Sequence, residues 1–263
     1  MSALLVLLEH QLLVFLLVLT RVSGLVMTAP VMGMQTAPVR VRGMVAVALA
    51  ALVTPLAAEQ VYFEHPPTSI IDLVTLAAGE LVVGLSMGLG TMILFAGLQL
   101  TGQIAGQMSG MQLADIFDPG FETNVPLFAR LLDLITLAVF LAIGGHREVL
   151  RALLDTFQWM PPGEARFSEG VLTMLVELST QSFVLGIRAA APIMVSLLLS
   201  ILVLGLISRT LPQLNVLAVG FSLNTMIMLA TLAISLGAIA WLFQQEAGLA
   251  LETMRRSLLS QAP

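Results

Sequence analysis

Long apolar runs dominate this chain and limit what it can fold into. Hydrophobic residues make up 58% of the sequence and charged residues only 10%, and the mean hydropathy is +0.99. A soluble domain of this length carries far more polar surface. The sequence therefore predicts an all-α, membrane-associated protein. Gly, Pro and single charges repeatedly interrupt the apolar runs, and function is expected at those interruptions.

About six helical elements are predicted, because a membrane-spanning helix needs about 20 residues. The apolar stretches lie near 4–19, 43–58, 69–100, 127–145, 171–208 and 214–243. Two of them, 69–100 and 171–208, exceed one straight span, for which about 25 residues is the upper limit. Each is expected to be a strongly tilted helix or a helix broken into a hairpin. Glu9 and His10 interrupt the first stretch, which favours a retained helix over a cleaved signal.

The distribution of arginine creates a topological conflict. The connection 20–42 carries Arg21, Arg40 and Arg42 and no acid, and the tail carries Arg255 and Arg256. Both groups favour the cytoplasmic side of a membrane. The five apolar stretches between them would place them on opposite sides. Either one long stretch is a re-entrant hairpin, or the chain does not follow ordinary bilayer topology.

Composition excludes several kinds of chemistry. The chain has no cysteine, which rules out disulfides, thiol catalysis and Cys-ligated metals. His10, His65 and His146 are isolated from one another and from clustered carboxylates, so neither a metal nor a cofactor is predicted. The net charge of −5 argues against a nucleic-acid partner. No nucleotide-binding G-x-x-x-x-G-K-[ST] loop is present, so any ATPase would be a partner protein.

Three features inside apolar stretches resemble functional sites. The segment 84–88 matches G-x-S-x-G, but it sits within a helical run, where Gly84 and Gly88 favour close helix packing over a nucleophile elbow. Glu80 and Asp133 are charges at membrane depth. They suggest either ion coupling or, as the preferred interpretation, an ion pair or hydrogen bond between helices.

Two stripes of residues share neighbouring faces of the helix predicted after residue 84. Glycines and glutamines both recur every four residues, at Gly102, Gly106 and Gly110 and at Gln99, Gln103 and Gln107. The glycines form a flat ridge that lets a partner backbone approach closely. The glutamines either bond across a helix bundle or face an aqueous conduit, and the sequence leaves both open.

The segment 106–122 is too polar and too rich in helix breakers to span a membrane. It nevertheless carries large apolar side chains, namely Met108, Met111, Leu113, Ile116 and Phe117. Methionine is flexible and polarizable, which suits a seal that must deform. The segment is therefore either a seal or an amphipathic connector on a membrane surface.

The last third of the chain predicts a helical hairpin with a polar tip. Two apolar arms meet at a turn that contains Arg209, Pro212, Gln213 and Asn215. Arginine offers five donors, so Arg209 is expected to bond carbonyls or a carboxylate at a helix end.

This tip, with the string L-G-L-x-x-R-x-x-P-Q-x-N at 204–215, resembles the FliR family of flagellar biosynthetic proteins. Other segments of the chain are similar to the same family. They are an R…P…P…R arrangement at Arg21, Pro30, Pro38 and Arg42, an E-x-x-x-G series beginning at Glu80, and an F-L-x-x-x-G-H segment at 140–146.

The resemblance implies a non-enzymatic subunit of a type III export gate in the flagellar basal body of the bacterial inner membrane. Such a subunit forms a helical pore for unfolded protein substrates with FliP-like and FliQ-like subunits, next to FlhA-like and FlhB-like export components. A FliP-like part at 1–180 would precede a FliQ-like hairpin and tail at 181–263. The segment 106–122 would be the pore plug.

Two other functions compete with this interpretation. A carrier of small molecules or ions with broken helices predicts related halves and a midplane charge, and no internal repeat is visible. A membrane hydrolase rests only on the G-x-S-x-G match. Co-purification separates a gate subunit from a carrier, because only the subunit needs several other chains.

Overall fold

The computed structural model describes residues 2–30, 38–58, 67, 69–110, 127–165, 169–211 and 216–259. Within these ranges the chain forms seven helices, and the predicted all-α class is confirmed. They are α1 (Ser2–Thr28), α2 (Val39–Ala58), α3 (Ile70–Ser109), α4 (Leu127–Ala142), α5 (Gly145–Trp159), α6 (Glu169–Thr210) and α7 (Val216–Leu259). Five of these helices are long and apolar enough to cross a membrane, and α4 with α5 makes a sixth if the bent pair counts as one span.

Three of the helices are far longer than a bilayer requires. Helices α3, α6 and α7 hold 40, 42 and 44 residues. At 1.5 Å per residue they are about 60–66 Å long, roughly twice the ~30 Å hydrocarbon core. The hairpin alternative for 69–100 and 171–208 is therefore wrong, since each stretch lies within one helix. Helix α6 continues through Pro192.

Helix α5 was not predicted from the sequence. It follows α4 after a bend of 64°, where Gly144 adopts a φ of 77° that favours glycine. One face of α5 is buried and includes Val149, Leu153 and Phe157, while the other face is mostly polar. A search for continuous apolar runs misses such an amphipathic helix.

The chain divides into two compact units. Unit 1 contains Met1–Ile93, Gly144–Ser179 and Gly248–Pro263, and unit 2 contains Leu94–Ile143 and Thr180–Ala247. The three long helices α3, α6 and α7 each contribute to both units. The units therefore do not follow the order of the sequence.

In unit 1, α1 runs in the same direction as α3 and ends near its midpoint. Thr28 and the backbone of Ala29 lie against Gly88, and the side chain of Met254 from α7 lies against Gly90. The connection that leads to Arg40 therefore begins near the midpoint of α3. The last turns of α7, which carry Arg255 and Arg256, lie near the same point. Counting apolar stretches placed these two groups of arginines on opposite sides of a membrane, because the count treats every helix as crossing the membrane once.

In unit 2, three phenylalanines from three helices form the centre of the core. Phe95 of α3 lies 5.2 Å from Phe140 of α4 and 5.8 Å from Phe243 of α7, measured between ring centroids. Both pairs meet edge to face, the arrangement that aromatic quadrupoles favour. All three rings are buried.

Helices α6 and α7 form an antiparallel hairpin in unit 2. The Ser200 hydroxyl donates to Asn224 at 2.6 Å, and the Thr231 hydroxyl donates to Ser196 at 3.0 Å. These side chains would be costly in an apolar environment without partners. Their pairing, together with the Arg188–Glu246 ion pair at 3.6 Å, sets the register of the two arms.

Candidate functional site

The most defined polar site is a buried ion pair in unit 1. Arg21 of α1 and Glu80 of α3 are both 0% exposed, and Arg21 Nε donates to Glu80 Oε2 at 2.5 Å. The prediction that Glu80 forms a pair between helices is confirmed. The sequence pointed to Arg21 as a topology signal and as part of the R…P…P…R arrangement but not as the partner of Glu80, because a partner 59 residues away leaves no local pattern.

The remaining hydrogen-bonding groups of this pair are also satisfied. Arg21 donates from Nη1 to the Thr156 hydroxyl at 3.1 Å and from Nη2 to the Met160 carbonyl at 3.1 Å. The backbone N–H of Gly163 donates to Glu80 Oε1 at 2.8 Å. Buried charges are tolerated when they are paired and hydrogen-bonded in this way.

An aromatic ring completes the surroundings of Arg21. Its guanidinium carbon lies 4.3 Å from the centroid of the Phe157 ring, a distance typical of a cation–π contact. Phe157 belongs to the buried face of α5. The site thus ties α1 and α3 to α5 and to the turn that follows it. The site holds helices in position, because the nitrogens of the Arg21 guanidinium and the oxygens of the Glu80 carboxylate all bond other parts of the chain.

Glycines allow α1 and α3 to touch next to this ion pair. A Cβ atom on Gly24 would lie 2.8 Å from the Leu85 nitrogen, and one on Gly84 would collide with the Arg21 carbonyl. Gly88 is similarly blocked by Thr28. The packing role predicted for Gly84 and Gly88 therefore matches their surroundings.

The G-x-S-x-G look-alike at 84–88 lies entirely within α3. The Ser86 side chain is buried, and its hydroxyl donates to the Val83 carbonyl at 2.8 Å. This is the usual arrangement of a serine inside a helix. It differs from a nucleophile elbow, which exposes the hydroxyl on a strand-to-helix turn.

The amide stripe lies on the unit 2 part of α3. Gln99 is half-buried and donates to Asp133 Oδ1 of α4 at 2.9 Å, whereas Gln103 and Gln107 are exposed. The predicted inter-helix partner of Asp133 is therefore an amide. The stripe therefore begins with a contact between helices at Gln99 and continues with exposed amides at Gln103 and Gln107.

The glycine ridge differs from its prediction at one end. Gly102 and Gly106 are buried in α3. Gly110 lies beyond Ser109, the last residue of the helix, with a φ of 81° and with its N–H donating to the Gln107 carbonyl at 3.2 Å. It ends the helix in a left-handed conformation that favours glycine.

Sequence reasoning missed a second close crossing in unit 2. A Cβ atom on Gly97 of α3 would lie 2.6 Å from the Ser182 carbonyl oxygen, and one on Gly186 of α6 would lie 2.6 Å from the Gly97 oxygen. The Thr101 hydroxyl donates to the Gly186 carbonyl at 2.9 Å. A lone glycine such as Gly186 gives no recognisable signal in an apolar helix.

Part of the predicted plug and hairpin tip falls outside the described residues. Met108 is half-buried in the last turn of α3, and Arg209 is exposed in the last turn of α6. A positive charge there complements the carboxyl end of the helix dipole. The other predicted residues, Met111, Ile116, Phe117, Pro212, Gln213 and Asn215, lie outside the described ranges.

Comparison with known proteins identifies relatives over most of this chain. Flagellar biosynthetic protein FliR of Escherichia coli (strain K12) is 29% identical over 222 residues, which is 84% of each chain. The protein of that name from Bacillus subtilis (strain 168) is 28% identical over 249 residues, or 93% of this chain and 94% of the relative. The Aquifex aeolicus (strain VF5) protein of that name is 28% identical and covers 87% of both chains.

A family model gives the same assignment. The model described as bacterial export proteins, family 1, matches residues 12–249. The match covers both units, the buried ion pair, the amide stripe and the α6–α7 hairpin. The resemblance stated from the sequence is thereby confirmed, and this chain belongs to family 1 of the bacterial export proteins.

Proposed function

We propose that this protein is a non-enzymatic subunit of the flagellar type III export gate, where it builds a helical pore with FliP-like and FliQ-like subunits. Unfolded export substrates pass through this pore in the basal body of the bacterial inner membrane, next to FlhA-like and FlhB-like components. Residues 1–180 act as the FliP-like part, and residues 181–263 act as the FliQ-like hairpin and tail.

The observation that carries this proposal is the length and exposure of the three long helices. Helices α6 and α7 are highly apolar, yet only 28% of the most apolar window of each is buried within the chain. Side chains such as Leu206 and Ile234 are 65% and 86% exposed. A ~30 Å bilayer covers only about half of a helix of this length unless it is strongly tilted. Neighbouring subunits cover the remainder.

The arginine positions agree with such an assembly. In unit 1, the end of α1 and the last turns of α7 meet α3 near its midpoint, at Gly88 and Gly90. These arginine-bearing helix ends would mark the membrane surface in an ordinary membrane protein, yet here they lie halfway along a helix of about 60 Å. That position does not suit a subunit that is placed in the bilayer by its own sequence alone. It suits a subunit whose position is set by its partners.

The amide stripe supplies the wall of the conduit. Gln103 and Gln107 are exposed on α3, and amides both donate and accept hydrogen bonds. Such a surface bonds passing peptide groups without preference for particular side chains. The segment 106–122 seals the resting pore, with Met108, Met111, Ile116 and Phe117 as its soft apolar contacts.

Cross-linking to a stalled substrate tests this proposal. An export substrate fused to a domain that does not unfold remains in the gate, and a photo-reactive amino acid replaces Gln103 or Gln107 in the assembled complex. We expect a cross-link to the substrate at both positions. The matched control is Ile234, also strongly exposed, where we expect a cross-link to a partner subunit.

The outcome is read by immunoblotting for the substrate. A gate that assembles normally but gives no substrate cross-link at Gln103 or Gln107 contradicts the conduit role of the stripe. A substrate cross-link at Ile234 as strong as at Gln103 would remove the distinction between the two surfaces.

A further inference from the structure

Helix α2 differs from the three long helices in its length and in the way its side chains are sorted. It has 20 residues, which corresponds to about 30 Å, the thickness of the hydrocarbon core of a bilayer. It packs against α1 and also contacts α5, all within unit 1. A helix of this length needs no partner subunit to extend the apolar environment beyond the bilayer.

The side of α2 that faces the protein carries small residues. Its buried residues are Ala46, Ala50, Val53, Thr54 and Ala57. Thr54 is the polar member, and its hydroxyl donates to the Ala50 carbonyl at 2.6 Å. Membrane helices place small residues where another helix approaches.

The opposite side, which we call the outer face of α2, is exposed and wholly apolar. It consists of Val41, Met44, Ala48, Leu52, Pro55 and Leu56. Met44 and Leu52 are 73% and 71% exposed. No polar side chain interrupts this face between Val41 and Leu56, so water does not solvate it favourably.

Charge occurs at one end of α2 only. Both of its charged residues, Arg40 and Arg42, are in the first turn, and no acid accompanies them there. Arg40 is exposed. Arginine matches the geometry and charge of phosphate, and long basic side chains at a helix end reach the headgroup level of a bilayer.

We propose that the outer face of α2 is the lipid-contacting surface of this subunit, with acyl chains along Ala48 and Leu52 and an anionic phospholipid headgroup at Arg40. The matched length, the outward sorting of large side chains and the single basic end all favour phospholipid over a protein partner. The subunit then stands at the rim of its assembly on this side.

Collision measurements on spin labels test the acyl-chain contact. The chain has no cysteine, so single Cys variants at Ala48 and Val41 each place one label on this subunit. The complete complex, made with partner subunits whose own cysteines are replaced, is reconstituted in nanodiscs of phosphatidylethanolamine and phosphatidylglycerol. We expect frequent collisions with oxygen and few with a water-soluble nickel chelate at Ala48, and a lower oxygen-to-nickel ratio at Val41, near Arg40. Ile234 of α7 is the control.

The three possible surroundings give different results. Low collision rates with both reagents at Ala48 mean that protein covers the outer face, which overturns this inference and leaves the proposed function intact. A high nickel rate means exposure to water and also overturns it. An oxygen-rich signal at Ile234 would instead count against the proposed function, while the inference about α2 stands.

The headgroup contact has its own test. Lipid that remains bound after detergent extraction of the complex is identified by mass spectrometry. We expect Arg40→Gln to retain less phosphatidylglycerol, and Arg147→Gln, an equally charge-reducing change at an exposed site on α5, to retain the normal amount. Unchanged phosphatidylglycerol in Arg40→Gln overturns the headgroup assignment.

Discussion

A fully buried arginine is stable in this chain because each nitrogen of its guanidinium group has a hydrogen-bond partner. Arg21 bonds Glu80, a hydroxyl and a carbonyl, and Phe157 covers its face. The partners come from α3, α5 and the turn at Met160, so the pair holds distant parts of unit 1 in place. Its function is to position α1 against α3.

Removing one member of this pair should be more harmful than removing both. Arg21→Met leaves the Glu80 carboxylate buried without its cation, and such changes cost about 3–5 kcal/mol. Arg21→Met combined with Glu80→Leu removes both charges, so we expect a smaller loss than for either single variant. Thermal stability of the purified complex, compared as a double-mutant cycle, measures the difference.

Arg151→Met provides the matched control. Arg151 pairs with Glu148 at 2.6 Å, but their side chains are 62% and 50% exposed. Exposed pairs contribute about 0–1 kcal/mol. Equal losses for Arg21→Met and Arg151→Met would contradict the role given to the buried pair.

At the scale of the element, close helix crossings depend on individual glycines. Gly97 of α3 and Gly186 of α6 approach so closely that a single methyl group does not fit on either without movement of the backbone. Well-packed interfaces absorb added volume poorly. The crossing therefore restricts how α3 and α6 pack within unit 2.

Two alanine substitutions should have opposite effects. Gly186→Ala places a methyl group 2.6 Å from the Gly97 carbonyl oxygen, whereas nothing lies within 4 Å of a Cβ on Gly237. We expect Gly186→Ala to destabilise the complex and Gly237→Ala to stabilise α7 by about 1 kcal/mol, because alanine favours helix. Thermal stability and the yield of assembled complex measure both. A Gly186→Ala complex as stable as the original would mean that α3 and α6 can accommodate the added methyl group, which would contradict the close crossing.

The gating prediction concerns the segment 106–122, which begins in the last turn of α3. Met108, Met111 and Phe117 changed together to Ser should leave assembly intact but let small ions leak through the resting gate, because the seal loses its apolar atoms. Conductance of cells that make the assembled variant measures the leak. An unchanged resting conductance would favour the surface-connector interpretation of 106–122.

Sequence patterns predicted the elements better than their extent. Apolar stretches located six of the seven described helices, but α7 continues to Leu259, well past the predicted end at 243, because its last turns are amphipathic. Helix α5 was missed for the same reason. Glu80 was recognised as paired, yet Arg21 and Gly186 were not assigned to their contacts, because tertiary neighbours leave no periodic signal.

At the scale of the whole molecule, apolar side chains are exposed along helices that are longer than an untilted bilayer span. Helices α3, α6 and α7 are each about 60–66 Å long, and exposed leucines, valines and isoleucines continue along α6 and α7. Family membership explains why this apolar surface is exposed in the single chain, since an export subunit works within an apparatus of several proteins. Cover by neighbouring chains is the central claim of our account.

Native mass spectrometry of the purified protein tests that claim most directly. Expressed with its FliP-like and FliQ-like partners, the chain should be recovered in one complex that contains several copies of other subunits, and expressed alone it should be recovered poorly or aggregated. Ile234→Glu, which places a charge on an apolar site of α7 that is 86% exposed, should reduce the yield of the complex. A monodisperse monomer or dimer that is stable alone, and that binds neither partner when they are supplied, would contradict the account.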